Sequence, residues 1–175
     1  MGTSDVALMA MILASALGYL LAEGELRRVR WVQAMRRCLQ RMTGIIRYEQ
    51  PALSQLLERI DLNSTPQERE LTRLLHVCAG KLAAQDSPQL LTVFARESAG
   101  MSAFGALSSE DRSAFEAVLS ELGSLRLTEQ LRLMDSAEER LCMREQELSK
   151  DGMRRAKLIR TLGFSGGAAL FLILI

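Results

Sequence analysis

Cysteine, proline, histidine and aromatic residues are all scarce in this sequence, and each shortage closes off a class of protein. Three cysteines in 175 residues are too few for a disulfide scaffold. Cys38, Cys78 and Cys142 stand apart on apolar helical positions, where plain packing in a reducing compartment accounts for them. Three prolines and 12 glycines exclude a collagen-like or low-complexity chain, and 48% hydrophobic residues exclude disorder. The single histidine, His76, has no partner set for a metal: Cys78 projects from a different face of the same helix, and no carboxylate stands at helical spacing. The net charge is +1, so no excess of one sign calls for nucleic acid.

Catalytic motifs are lacking as well. There is no G-x-S-x-G and no H-E-x-x-H, and Gly80-Lys81 is followed by Leu82 where a phosphate-binding loop needs Ser or Thr. Glu138-Glu139 and Glu145/Glu147 alternate with Arg140 and Arg144 as a solvated helix face does. No catalytic, cofactor-binding or metal-ligating residue is expected, and the chain reads as a non-enzyme.

Charge itself is missing from both ends. All 22 Lys and Arg lie between Arg27 and Arg160, and Asp5 is the sole acid before Glu23. Residues 6–22 are 17 uncharged, mostly apolar positions, about 25 Å of helix against a bilayer core of about 30 Å. Ala14-Ser15-Ala16 resembles a signal-peptide cleavage site, but the positive start such a peptide needs is absent, so a retained helix is the stronger reading. Residues 161–175 form a second uncharged run of 15, lengthened toward the interface by Lys157 and Arg160. Ala10, Ala14, Gly18 and Ala22 recur every four residues, and Gly163 and Gly167 form a G-x-x-x-G, faces that let membrane helices approach closely.

Basic residues collar the inner end of each run. Residues 23–47 hold seven Arg against two Glu, and residues 150–160 hold five basic residues against Asp151. The stretch between carries ten basic and seventeen acidic residues. This is the positive-inside pattern, with both termini outside and the middle in the cytoplasm. Arg27, Arg28, Arg30, Arg154, Arg155, Lys157 and Arg160 are the membrane-proximal charges, suited to anionic head groups, and Trp31 reads as an interfacial anchor. Arg36 and Arg37 fall about 20 Å along the helix from Ala22, beyond a Debye length of about 8 Å. With Arg41 and Arg47 they are the candidate docking residues for an acidic partner.

The middle has helical punctuation. Leu26, Val29, Val32, Met35, Leu39, Met42 and Ile46 are spaced three and four apart, continuing the first span as one long helix. Pro51 ends that arm and opens a helix through Ile60. Thr65, Pro66 and Glu68 form a capping box with proline at the first helical position. Ser87-Pro88 repeats the start signal for a helix through Ser98, residues 99–107 read as a loop, and Ser108 or Ser109 caps the next helix, which Gly123 ends. Leu127, Leu131, Met134, Leu141 and Leu148 then run as one helix into the second uncharged segment. No segment alternates with period two. The expected fold is all-α, a helical bundle of about six helices between two transmembrane helices, with residues 1–22 the first span, 23–160 the bundle and 161–175 the second span.

Several local patterns resemble the stage III sporulation protein AB family along nearly the whole chain. They are Ile46-Arg47-Tyr48 followed by Pro51-Ala52-Leu53, Gly123 followed by Gln130, and the ending Leu162-Gly163-Phe164-Ser165-Gly166-Gly167 before the final isoleucine–leucine run. The chain departs from the family pattern at Arg28-Val29, Thr43, Ile45 and Leu125-Arg126. The resemblance implies a non-enzymatic subunit of the channel between mother cell and forespore, with a soluble part similar to the F-type domain of type II secretion platforms. It implies a place in the outer forespore membrane, with the bundle on the mother-cell side, beside a secretion-type ATPase and other channel subunits. A homo-oligomer is left open. A membrane-anchored signalling or regulatory adaptor is the second reading of the same features.

Overall fold

The computed structural model describes residues 3–84, 89–101, 104 and 107–174; side chains are described within residues 23–150 apart from Glu25, and beyond those limits only at scattered positions. The described residues form six α-helices and no strand: α1 Thr3–Glu49, α2 Leu53–Glu58, α3 Pro66–Ala83, α4 Leu90–Ala99, α5 Ser109–Glu121 and α6 Leu127–Leu174. The chain divides into two compact units, Arg30–Glu145 and the paired helical ends Met1–Val29 with Gln146–Ile175.

Why α1 and α6 are so long follows from what they lack. Neither contains a proline, and the Gly24 position is open, so nothing interrupts the backbone hydrogen-bond ladder. The apolar stripe of α1 is buried as its spacing predicts, with Val32, Met35, Leu39 and Met42 inaccessible to solvent. The capping box of α3 forms as expected: Thr65 Oγ1 accepts the Glu68 N–H at 3.2 Å, and Glu68 Oε2 accepts the Thr65 N–H at 3.1 Å. Ser108 caps α5 in the same way, with Asp111 completing the box.

Two helix starts and one end differ from expectation. Pro51 does not open α2. Gln50 takes a left-handed conformation, φ +46°, the residue before a proline being kept out of the right-handed helical region. Ala52 is then extended and the helix begins at Leu53. α2 also stops at Glu58 rather than Ile60, and the Ile60 carbonyl just beyond it accepts a 2.9 Å hydrogen bond from His76 Nε2 on α3. Thr72 fastens the same loop by donating to the Leu62 carbonyl and accepting the Leu62 N–H, both at 3.1 Å. α4 begins at Leu90 with no side-chain cap on Gln89; Ser87 and Pro88 lie outside the described residues.

The centre of the Arg30–Glu145 bundle is a run of aromatic rings from four places in the sequence. Trp31 on α1 meets Phe104 edge-on at 4.8 Å, Phe104 meets Phe94 of α4 at 5.6 Å, and Phe94 meets Phe115 of α5 at 5.8 Å, spacings at which aromatic pairs attract beyond simple burial. Trp31 is 0% exposed, which corrects its expected role as an interfacial anchor. It shares the inward stripe of Met35, Cys38 and Met42, so the arginines beside it in sequence project elsewhere on the helix. Phe104 and Leu107 are also buried, so the loop before α5 supplies the core instead of merely crossing it.

Among the described residues no helix is long and apolar enough to cross a membrane. The side chains of residues 6–15, 17–22 and 162–175 lie outside the described set. The two expected spans fall there, with the small-residue faces of Ala10, Ala14, Gly18, Ala22, Gly163 and Gly167.

Truncating the ring that joins Trp31 to Phe94 tests this core. Phe104→Ala should lower unfolding stability by about 3–5 kcal/mol, whereas Ser120→Ala on an exposed face should change it by less than about 0.5 kcal/mol, both read from urea unfolding followed by circular dichroism.

Candidate interaction surface

The arginines of α1 separate into two kinds. Arg36 is 27% exposed and turned toward α6, its Nε 3.1 Å from Glu145 Oε2 and its Nη1 3.3 Å from Cys142 Sγ. Arg37 is ion-paired with Glu68, the carboxylate that also completes the α3 capping box. Both side chains therefore hold the bundle together. Arg41 and Arg47 are exposed, and among the described residues neither makes an ion pair.

Beside these arginines lies Tyr48, 85% exposed and the most accessible large hydrophobic side chain of the described residues. Gln40, Arg41, Gly44, Ile45, Tyr48 and Glu49 line a shallow depression of about 340 Å³. A Cβ built on Gly44 would meet nothing within 4 Å, so the outer wall of α1 is low at its middle. Glu49 is ion-paired with Arg59, which leaves the cationic character of the face to Arg41 and Arg47. A surface with arginine and tyrosine around a low point has the composition in which binding energy concentrates at protein interfaces.

A second concavity lies at the turn that follows. Ile46, Gln50, Pro51, Leu53, Gly123 and Gln130 are among the residues lining a groove of about 210 Å³. Ile46, Pro51, Leu53, Gly123 and Gln130 belong to the patterns that carried the resemblance, so dispersed sequence features gather at one end of the bundle. Gly123 sits at φ +89°, a backbone state open to glycine, with Leu53 Cδ2 3.8 Å from where its Cβ would be.

Of the basic residues expected beside a membrane, Arg27, Arg154 and Lys157 are exposed, and Arg28 and Arg30 are half-buried. The side chains of Arg155 and Arg160 lie outside the described set. The paired glutamates serve helix packing. Glu138 accepts from Gln40 at 2.6 Å, and Glu145 from Gln33 at 3.0 Å.

Cys38 is fully buried, and burial raises its thiol above the usual range. Cys78 is pushed up to about 11, chiefly by burial and further by Glu97, with Lys81 opposing. Cys142 is half-buried against Arg36.

Sequence reasoning found the basic helix but missed the division within it. It also passed over Tyr48, whose outward position follows from its lying two helical turns beyond Arg41 on the polar side.

Together these features define an all-α bundle protein whose most accessible chemistry is a cationic and aromatic helix face. The chain belongs to the stage III sporulation protein AB family, whose description matches residues 6–175. It is thereby a protein of sporulation, from a family of structural proteins and not a known enzyme family. No curated protein and no solved structure gives a significant match.

The division among the arginines has a measurable consequence. Arg36→Ala or Arg37→Ala should each destabilise the fold by about 1–3 kcal/mol by stranding a carboxylate, while Arg41→Ala and Arg47→Ala should each stay within about 0.5 kcal/mol. Thermal unfolding of the four variants checks it.

The cysteines give a separate readout. At pH 8 a maleimide should label Cys142 first, leaving Cys38 and Cys78 unmodified until denaturant is added. The thiolate of Cys78 should form only as pH rises toward about 11, and mass mapping of the labelled peptides follows all three.

Proposed function

We propose that this protein is a non-enzymatic membrane platform subunit of the channel between mother cell and forespore, coupling a cytoplasmic secretion-type ATPase to that channel. In this reading residues 6–22 and 161–175 insert as a helical hairpin in the outer forespore membrane, with residues 23–160 on the mother-cell side. Support for the hairpin comes from the two uncharged runs, from the basic collars at their inner ends, and from the unbroken helices α1 and α6, which cover residues 6–22 and 161–174.

The observation that carries the docking role is the uncommitted state of Arg41, Arg47 and Tyr48. Intramolecular carboxylates take Arg36 and Arg37 and leave the next two arginines to solvent. By helical rise these residues lie well past a Debye length of about 8 Å from residues 6–22, so lipid head groups do not account for them. An acidic protein surface does, with Tyr48 as its aromatic anchor.

Capture of the cognate ATPase by the full-length protein tests this. Arg41→Glu combined with Arg47→Glu and Tyr48→Ala should reduce capture at least tenfold, and capture equal to wild type would sink the docking role. A reporter inserted at Asn63, in the exposed loop before α3, should be active only in the cytoplasm. Activity on the outer side would overturn the topology.

A further inference from the structure

Two exposed helix faces of this chain complement each other, and among the described residues Arg69 and Arg73 of one and Glu121 of the other make no ion pair. The solvent face of α3 consists of Arg69, Arg73, His76, Val77 and Gly80. Of the two acids on α3, Glu68 is buried in its capping box and Glu70 is half-buried, so the face is cationic with an apolar step at Val77, which is 46% exposed. Arg69 and Arg73 stand one turn apart, a like-charge spacing that disfavours an isolated helix. Gly80 is equally unhelpful to the helix, glycine being the poorest helix former short of proline, and a Cβ there would meet nothing within 4 Å. Packing inside the molecule therefore explains neither the arginine pair nor the glycine.

The solvent face of α5 has the opposite character. Glu110 and Glu121 stand at its two ends, and Ser113, Ala117 and Ser120 lie between them, all exposed. The one base on α5, Arg112, is half-buried 3.9 Å from Glu116. Arg144 of α6 pairs with Glu110 at 3.1 Å, so the face is lined by small side chains and its free acid is Glu121. Its length matches that of α3: Gly80 lies eleven residues after Arg69, and Glu121 eleven after Glu110, about 16 Å in each case.

We infer that the Arg69–Gly80 face of α3 docks on the Glu110–Glu121 face of α5 in a second copy of this chain. The helices lie antiparallel. That direction brings Arg69 and Arg73 to Glu121 at the C-terminal end of α5, where the helix dipole also favours cations. Arg73 then lies over Ala117, Val77 rests beside Ser113, and Gly80 lowers the α3 surface at the Glu110 end. Two different faces meet, so each copy keeps one of each kind free, and the contact propagates from copy to copy, closing into a ring where the rotation allows.

Full-length chains with two different tags, co-expressed and solubilised in mild detergent, provide the test. Wild-type copies should capture one another. Arg69→Glu with Arg73→Glu should abolish self-capture, and so should Ala117→Arg with Glu121→Arg, each loss at least tenfold with helicity by circular dichroism unchanged. Mixing the two charge-reversed proteins should restore capture to near the wild-type level, because each reversed face then finds a reversed complement. Monomeric wild type, undiminished self-capture by either variant, or failure of the mixture to recover would each overturn the pairing.

Discussion

The bundle is organised by the seam between its two longest helices. Gln33 meets Glu145, Arg36 meets Cys142, and Gln40 meets Glu138, so as one helix advances the other retreats by the same number of residues. That fixed relation makes α1 and α6 antiparallel and sets their register. Polar side chains hold it, which suits half-buried positions where an apolar contact would permit sliding and an unmatched charge would be costly. The short helices α2 to α5 connect the far ends of these two rods, so their placement follows from the seam.

Inside the seam the bundle closes on aromatic rings. Helices α4 and α5 are only 10 and 13 residues long, too short to be stable alone in water. Phe115 attaches α5 to Phe94 of α4, and Phe94 attaches to Phe104 and through it to Trp31 on α1. The loop residue Phe104 is thus the bridge between the rigid first helix and the marginal ones.

How much of this was legible depended on how local each signal was. Thr65-Pro66-Glu68 and Ser108 marked helix starts correctly, because a cap is a bond between residues three apart. The long arms were legible because a chain without proline has no reason to stop a helix. Trp31 misled, since its arginine neighbours suggested a membrane interface while its spacing to Met35, Cys38 and Met42 already placed it inward. Phe104 gave no pattern at all, a loop side chain being drawn into the core only by rings distant in sequence. The same holds for the basic arm. Its charge was visible, but its division into committed and free arginines rests on Glu68 and Glu145, and no spacing along α1 foretells which arginine meets them. The expectation of membrane spans rests on composition alone, and the family on the whole-chain match.

Glu68 has a consequence for how the molecule comes apart. One carboxylate closes the first turn of α3, accepts the Ser64 N–H at 2.8 Å and pairs with Arg37 of α1. Loss of that carboxylate's position frees the start of one helix and the flank of another at the same instant. Fraying of the first turn of α3 therefore costs the Arg37 pair as well, which couples that turn to α1.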